Sequence, residues 1–452
     1  MLSERNKILI ETVKRLLRRG SYSRLKKILS KIHAADLSAV FPSLSAHNQR
    51  ELFHLIDNRE KRGIVLSELD EDITLTIIEE LSVAELTEIL EYMPSDDGGA
   101  LLRLLPQEKA DTVIESMKKA GSEDVEGLLK YEDDTAGAIM IPDFIALNEN
   151  MTAKEVIESL QTQEYKDVEM PFYIYVVEEN NRLVGVCSLR QLVVVPSDTP
   201  LKEFMATDVV SVKTEMDQEE VAKIVARYNF LAVPVVDEDQ QMVGIVTVDD
   251  VIDVFREEAT EDILKMAGAG EEFVETKSVL RSTRIRLPWL FASFVGGIIA
   301  VFIIGHFEES LRQISYLAAF IPVIMGMGGN IGIQSSTIVV RGIATGRINV
   351  RHLGRVVSKE LLIGLILGGV YGLMLAIVAQ MHSNVAVVAI SVGVGVASSM
   401  TIAALVGSFL PMVFARFEID PAVATGPFVT TSIDILSVFF YFQLATFFLG
   451  IM

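Results

Sequence analysis

A single cysteine, Cys187, in 452 residues excludes any intramolecular disulfide and fits a reducing compartment for the part that carries it. The histidines are few and scattered (His33, His47, His54, His306, His352 and His382), and none has zinc-ligand spacing. No His-Glu-x-x-His, Gly-x-Ser-x-Gly or phosphate-loop string occurs, so an enzyme is the least favoured class. The start, Met1-Leu-Ser-Glu-Arg-Asn-Lys7, puts charges where a secretory leader needs an apolar core, and no cleaved leader is expected. Basic residues are also scarce: 40 Lys and Arg stand against 61 Asp and Glu, a net charge of −21. That balance disfavours nucleic acid, which attracts basic surfaces, and favours cations.

The acidity is unevenly distributed. From Arg281 onward there are 10 basic and 6 acidic residues, which leaves 30 and 55 before it. Hydrophobic residues make up 50% of the chain and the mean hydropathy is +0.38. An acidic soluble part of about 280 residues therefore precedes a membrane part of about 170.

Residues 1–134 read as all-helical. Leu9, Ile10, Val13, Leu16 and Leu17 recur at the helical period. Short units follow at Asp36–Phe41, Gln49–Ile56, Ile73–Leu81, Val83–Tyr92, Asp97–Leu105 and Lys109–Met117, several behind polar caps such as Ser82. Their regular succession predicts a small helical solenoid. Asp96 and Asp97 are adjacent at a helix start, where capping is the plainest role.

Between Ala138 and Val254 strands alternate with helices, and the stretch repeats itself. Met140-Ile-Pro-Asp143 is echoed by Met205-Ala-Thr-Asp208, and Val176 to Gln191 by Val235 to Asp250. Each copy holds a hairpin whose second strand carries a Gly, then a helix start; the helices are Ala153–Gln161 and Gln218–Tyr228. Cys187 falls on a strand as a small buried hydrophobe. The pair resembles tandem cystathionine-β-synthase-type (CBS) domains, which implies a pseudo-symmetric disc and an adenine-nucleotide cleft. In such domains a Ser/Thr-x-x-Asp after the glycine strand holds the ribose. The second copy keeps it as Thr247-Val-Asp-Asp250, whereas the first has Ser188-Leu-Arg-Gln191. An acidic helix follows. Asp249, Asp253, Glu257 and Glu261 stand four apart, with Asp250, Glu258 and Asp262 beside them and only Arg256 and Lys265 in opposition. Like charges at this spacing repel. The face is either solvated or bridged by a divalent cation to acids such as Asp217, Glu219 and Glu220, because Mg²⁺ and Ca²⁺ take oxygen ligands.

Five stretches are long enough to span a bilayer: Leu287–Gly305, Ile314–Val340 (interrupted), Leu361–Gln380, Val385–Phe414 (interrupted) and Ala422–Leu449. Arg281, Arg284 and Arg286 before the first, Arg341 to Lys359 after the second and Arg416 after the fourth outweigh Arg312 on the other side. This predicts a cytoplasmic N-terminus and an outside C-terminus. Gly364, Gly368 and Gly372 allow close helix approach. Gly-rich Pro322–Ser336 reads as irregular backbone at membrane depth; close helix packing is the alternative, which explains the glycines but not the row of Asn330, Gln334, Thr337 and Arg341 on one face. From Ala422 to the C-terminus Asp434 is the only charged residue, and Thr430, Asp434, Ser437 and Tyr441 form one stripe, read as a wet face. An intramembrane acid is either neutral against a neighbour or part of a cation pathway.

Together these features resemble the MgtE-type magnesium channels and transporters. The resemblance rests on Tyr131-Glu-Asp-Asp-Thr-Ala-Gly137, on Pro322 through Asn330 with Gln334-Ser335, and on Asp420-Pro-Ala with Pro427 and Thr431-Ser-Ile-Asp434. It implies an all-α superhelical N-domain (1–134), α/β tandem CBS domains (135–200 and 201–256), an acidic connecting helix (257–282) and a five-helix transmembrane pore domain (283–452). It further implies a homodimer in the inner membrane with Asp434 of both copies on the pore axis, accompanied by Asp420, Asn330, Gly329 and Thr431. Cytosolic Mg²⁺ held by Asp96, Asp217, Glu219, Asp250, Asp253, Glu258, Glu261 and Asp262 would lock the pore closed. ATP is a second expected ligand, at Tyr173 and Arg190. Asn229 stands where some relatives have an acid. An ion-coupled exporter and a membrane-anchored nucleotide sensor are the alternative readings.

Overall fold

The computed structural model describes residues 4–117, 119–162, 168, 170–268, 279–313, 315–417 and 419–450. The chain divides into two units, Met1–Glu258 and Ala259–Met452.

The first unit begins with short helices sharing one apolar core that runs from Ile10 to Val125. Alternate helices stack: Ala34–Ser38 on Arg59–Ser67, Arg59–Ser67 on Val83–Leu90, and Val83–Leu90 on Gln107–Ser116. That is solenoid packing, in which each helix buries its apolar stripe against its next-but-one neighbour. Ser82 and Glu85 cap each other's backbone as a capping box. By contrast, the helix predicted from Asp97 starts at Ser95 with Pro94 at the cap. Asp96 and Asp97 therefore lie in its first turn and are not its N-cap. Arg59–Ser67 is not among the helical units expected from the sequence. In the fold a Cβ at Gly63 would lie 3.4 Å from the Tyr92 carbonyl, so the glycine permits a close helix contact.

Two small sheets follow with identical topology. β1 (Ala146–Asn148) runs parallel to β2 (Tyr173–Val177), and β2 pairs antiparallel with β3 (Leu183–Ser188). β4 (Val212–Lys213), β5 (Ala232–Val236) and β6 (Met242–Thr247) repeat the arrangement, including the irregularity at the end of the middle strand. The lead-in segments are exchanged: Ile141 bridges to Ile245 of β6, and Ala206 bridges to Val186 of β3. The recurrent Met and Gly meet across this exchange. A Cβ at Gly244 would fall 2.6 Å from Met140 Sδ, and Gly185 is covered by Met205 in the same way. Cys187 is buried in β3, and burial pushes its thiol up to about 12.

The helix Val248–Met266 contains the boundary between the units. It starts earlier than the predicted connecting helix and ends at Met266; of the remaining predicted residues, 269–278 lie outside the described ones. Among the described residues the second unit has five helices long and apolar enough to cross a membrane: Val279–His306, Tyr316–Ala344, Leu353–Ser383, Ala386–Arg416 and Pro427–Gly450, here the first to fifth spans. The second and fourth are continuous, against the expected interruptions. Glycine keeps its backbone hydrogen bonds in a membrane helix, and its missing side chain admits neighbours instead. A Cβ at Gly328 would stand 2.8 Å from Ser437 Oγ. At Gly364 it would stand 2.8 Å from Ala404 Cβ, and at Gly368 2.7 Å from the Ala397 carbonyl, which zips the third span onto the fourth. The predicted fifth span is broken: Pro421–Thr425 is a separate helix, and Gly426 forms an elbow before Pro427.

Candidate cation sites

Asp434 is half-buried in the fifth span, with no hydrogen-bond or ion-pair partner among the described residues. The predicted wet stripe is divided. Tyr441 is fully buried and its hydroxyl donates to the Leu317 carbonyl at 3.0 Å, because a phenol deep in the membrane needs an acceptor. Ser437 is buried beside Gly328 and Ser399. Thr430 returns its hydroxyl to the Gly426 and Pro427 carbonyls, 3.2 Å each. Only Asp434 of this stripe keeps a polar head without a protein partner and partly accessible. Thr431 turns its methyl onto Gly296 of the first span. On the second span Asn330, Gln334 and Arg341 are exposed, and Gly329 faces open space.

In the first unit the acids gather in two places. Asp250 accepts from the Thr247 hydroxyl and backbone N–H. Burial first, then the charge of Asp96, pushes its carboxyl up to about 8. The first copy makes the same cap with Ser188 and Gln191, whose Oε1 accepts from the Ser188 N–H at 2.8 Å. The missing acid there changes charge and leaves the local fold intact. The second group centres on Glu258. It accepts from Gln218 Nε2 at 2.8 Å, and burial, followed by Glu219, Asp217 and Asp134, raises its carboxyl. Asp217 caps the helix Gln218–Tyr228, and Glu219 pairs with Lys223 at 2.7 Å. Asn229 ends that helix at φ +55°, a left-handed position that suits asparagine. Asp253 is exposed and pairs with Arg256 at 3.1 Å.

Asp134 belongs to this group and was missed as a site, although it sits in the quoted Tyr131–Gly137 string. Its segment is held from both sides. Arg103 pairs with Asp133 at 2.8 Å, and Gln218 N–H donates to the Asp134 carbonyl at 2.8 Å. Asp134 has φ +61°, a strained conformation for a non-glycine residue. Glu360, also missed, is buried in the third span and accepts from Ser335 Oγ at 2.8 Å.

In the second unit Asp420 uses one carboxylate oxygen to cap Pro421–Thr425, at 2.8 Å from Ala422 N. Its other oxygen is 2.8 Å from Lys265 Nζ, and Lys265 also pairs with Glu261. Asp262 is half-buried on the same helix. Tyr173, the first residue of β2, lies opposite Ser188 in register; Arg190 follows two residues later, exposed. Mg²⁺ takes hard oxygen donors, which Asp96 with Asp250 and the Glu258 group supply. Among the described residues no three such side chains are gathered closely enough to hold a metal ion.

Comparison with known proteins covers nearly all of the chain. Residues 321–444 match the divalent cation transporter family model MgtE, 32–134 the MgtE intracellular N domain, and 136–198 and 201–257 the CBS domain. The chain is 33% identical over 438 residues to a magnesium transporter MgtE of Bacillus subtilis, covering 96% of each protein. It is 35% identical over 445 residues to that of Thermus thermophilus, covering 95% of this chain and 96% of the relative. Residues making up 54% of it superpose, at 37% identity and a TM-score of 0.51, on a crystal structure described as the cytosolic domain of the Mg²⁺ channel MgtE in complex with ATP, 99% of which is covered.

Proposed function

The chain belongs to the MgtE family of magnesium transporters, and on that premise we propose that it is a Mg²⁺-selective channel for magnesium uptake, closed by cytosolic Mg²⁺. It is a multi-pass membrane protein with an all-α N-terminal domain and a CBS pair. The observation that carries the reading is Asp434, a carboxylate within a membrane span and without a protein partner among the described residues. Such a group needs water or a cation. Mg²⁺ dehydrates reluctantly, so Asp434 meets the ion through its water shell. Two copies of the chain set the width of the passage, with Asn330, Gly329 and Thr431 along it and Asp420 at its end. The termini lie as loop charge dictates, N inside and C outside.

The acids of the first unit and of Val248–Met266 serve as the sensor. Asp96 and Asp250 make one site; Asp217, Glu219 and Glu258, with Asp134 now added, make another; Asp253, Glu261 and Asp262, on Val248–Met266, are further ligands. Without the ion their like charges repel. With it, they draw together and favour the closed state by the ion's differential affinity. ATP binds at the CBS pair near Tyr173 and Arg190. In a strain lacking Mg²⁺ uptake, Asp434→Ala is expected to abolish growth at low Mg²⁺. Growth equal to wild type, with equal membrane expression, overturns the pore assignment.

A further inference from the structure

The end of the helix Val248–Met266 meets the elbow before the fifth span through a lysine that neither the charge-run reading nor the family resemblance singled out. Lys265 Nζ is 2.8 Å from one oxygen of Asp420 and also pairs with Glu261 one turn earlier on its own helix. The three side chains are only 27%, 34% and 19% exposed, so the ion pairs are better shielded from solvent than surface ones. Asp420 is doubly engaged, because its second oxygen caps Pro421–Thr425. Backbone contacts continue the seating. A Cβ at Gly426 would lie 3.4 Å from the Lys265 carbonyl and 3.6 Å from that of Met266. Gly268, at φ +70°, leaves room for Pro427, 3.4 Å from where its Cβ would be, and for Trp289 of the first span, 3.6 Å away. Trp289 in turn meets Phe428 edge-on at 6.4 Å.

The carboxylates of Glu261 and Asp420 thus share one ammonium. Without it, two negative groups would face each other across the contact between the helix end and the elbow. We propose that Lys265 is a positioning residue for gating: its ammonium fastens the helix end to the Asp420 elbow, and through that clasp a displacement of Val248–Met266 is delivered to the fifth span that carries Asp434. This rests on the reading that internal Mg²⁺ closes the pore by way of this helix. Asp420 stands at the end of the permeation path in that reading, but Lys265 itself supplies no ligand to it, so transmission is read from the internal Mg²⁺ dependence of closure and conductance is followed separately. A guanidinium also offsets the charge of two carboxylates, whereas a neutral amide can donate to them but leaves their charges uncancelled.

The test is patch recording of the full-length protein with internal Mg²⁺ varied, comparing wild type, Lys265→Gln and Lys265→Arg. Lys265→Gln is expected to keep the unitary Mg²⁺ current but to need roughly three- to tenfold more internal Mg²⁺ for half-closure, with residual openings at saturation; about tenfold corresponds to about 1.4 kcal/mol of lost coupling. Lys265→Arg is expected to close like wild type. Thermal melting of the purified variants checks that the glutamine protein is folded. A folded Lys265→Gln channel with an unshifted closure curve overturns the clasp while leaving Mg²⁺ gating in place, as does an arginine variant as impaired as the glutamine one. A wild-type channel that internal Mg²⁺ does not close overturns the clasp and the gating reading together.

Discussion

Replacing Asp250 by asparagine is expected to stabilise the protein in EDTA, and to do so more at pH 8 than at pH 6. The carboxyl sits half-buried behind Thr247, with Asp96 near enough to repel it, and burial first, then that charge, pushes it up to about 8 from the ordinary 3.8. The folded protein keeps a proton that the unfolded chain has already released. This contribution to stability is therefore fully present below the unfolded value and is lost as pH rises toward 8. At about 1.4 kcal/mol per unit, the shift disfavours folding by roughly 3 kcal/mol at pH 6 and roughly 5 at pH 8. The wild type should thus lose about 2 kcal/mol against the variant between those pH values, or about 5 °C in melting temperature for a domain of this size. Asparagine keeps the oxygen that caps Thr247, so the comparison isolates charge. Cys187, buried in the neighbouring repeat, supplies the assay: a thiol-reactive fluorogenic maleimide reports its exposure on heating. An equal separation of the two melting curves at pH 6 and pH 8 would refute the reasoning, and so would a less stable variant at both.

Other outcomes follow from the packing and the charge clusters. Gly244→Ala should lower the melting temperature by several degrees, since its Cβ meets Met140 Sδ at 2.6 Å and overpacking costs about 1–3 kcal/mol; adding Met140→Ala should recover part of the loss in the same maleimide assay. Glu360→Leu should reduce the yield of monodisperse protein in size-exclusion chromatography by leaving Ser335 without its acceptor, at about 1–3 kcal/mol, whereas Glu360→Gln should behave as wild type. Neutralising Glu258, Glu261 and Asp262 together should leave the pore open at high internal Mg²⁺ in patch recordings, and unchanged inhibition would count against the sensor.

Much of this arrangement is legible because local chemistry states it twice. The Met and Gly of each CBS copy recur in the sequence, and the fold shows why: each pair is one contact made across the exchange. The glycines at 364, 368 and 372 announce a helix seam and form one. Glycine in the second span misled for the opposite reason, since an absent side chain signals close packing as readily as a broken helix, and only the neighbour tells which. Lys265 was set down, with Arg256, as no more than a counter-charge to its own helix because its partner Asp420 lies 155 residues away in sequence. Glu360 was hidden among the basic residues of a loop, though it is the first turns of the third span that bury it. Asp134 was part of a recognised string whose role depends on a left-handed turn that no residue pattern specified.

The exchanged lead-ins at Ile141 and Ala206 also bear on inheritance. Neither copy owns a finished sheet, so the duplication cannot be undone by cutting near residue 200: each fragment would expose the edge its sister had been covering. The two copies are therefore expected to melt as a single element, each losing its cover when the other opens.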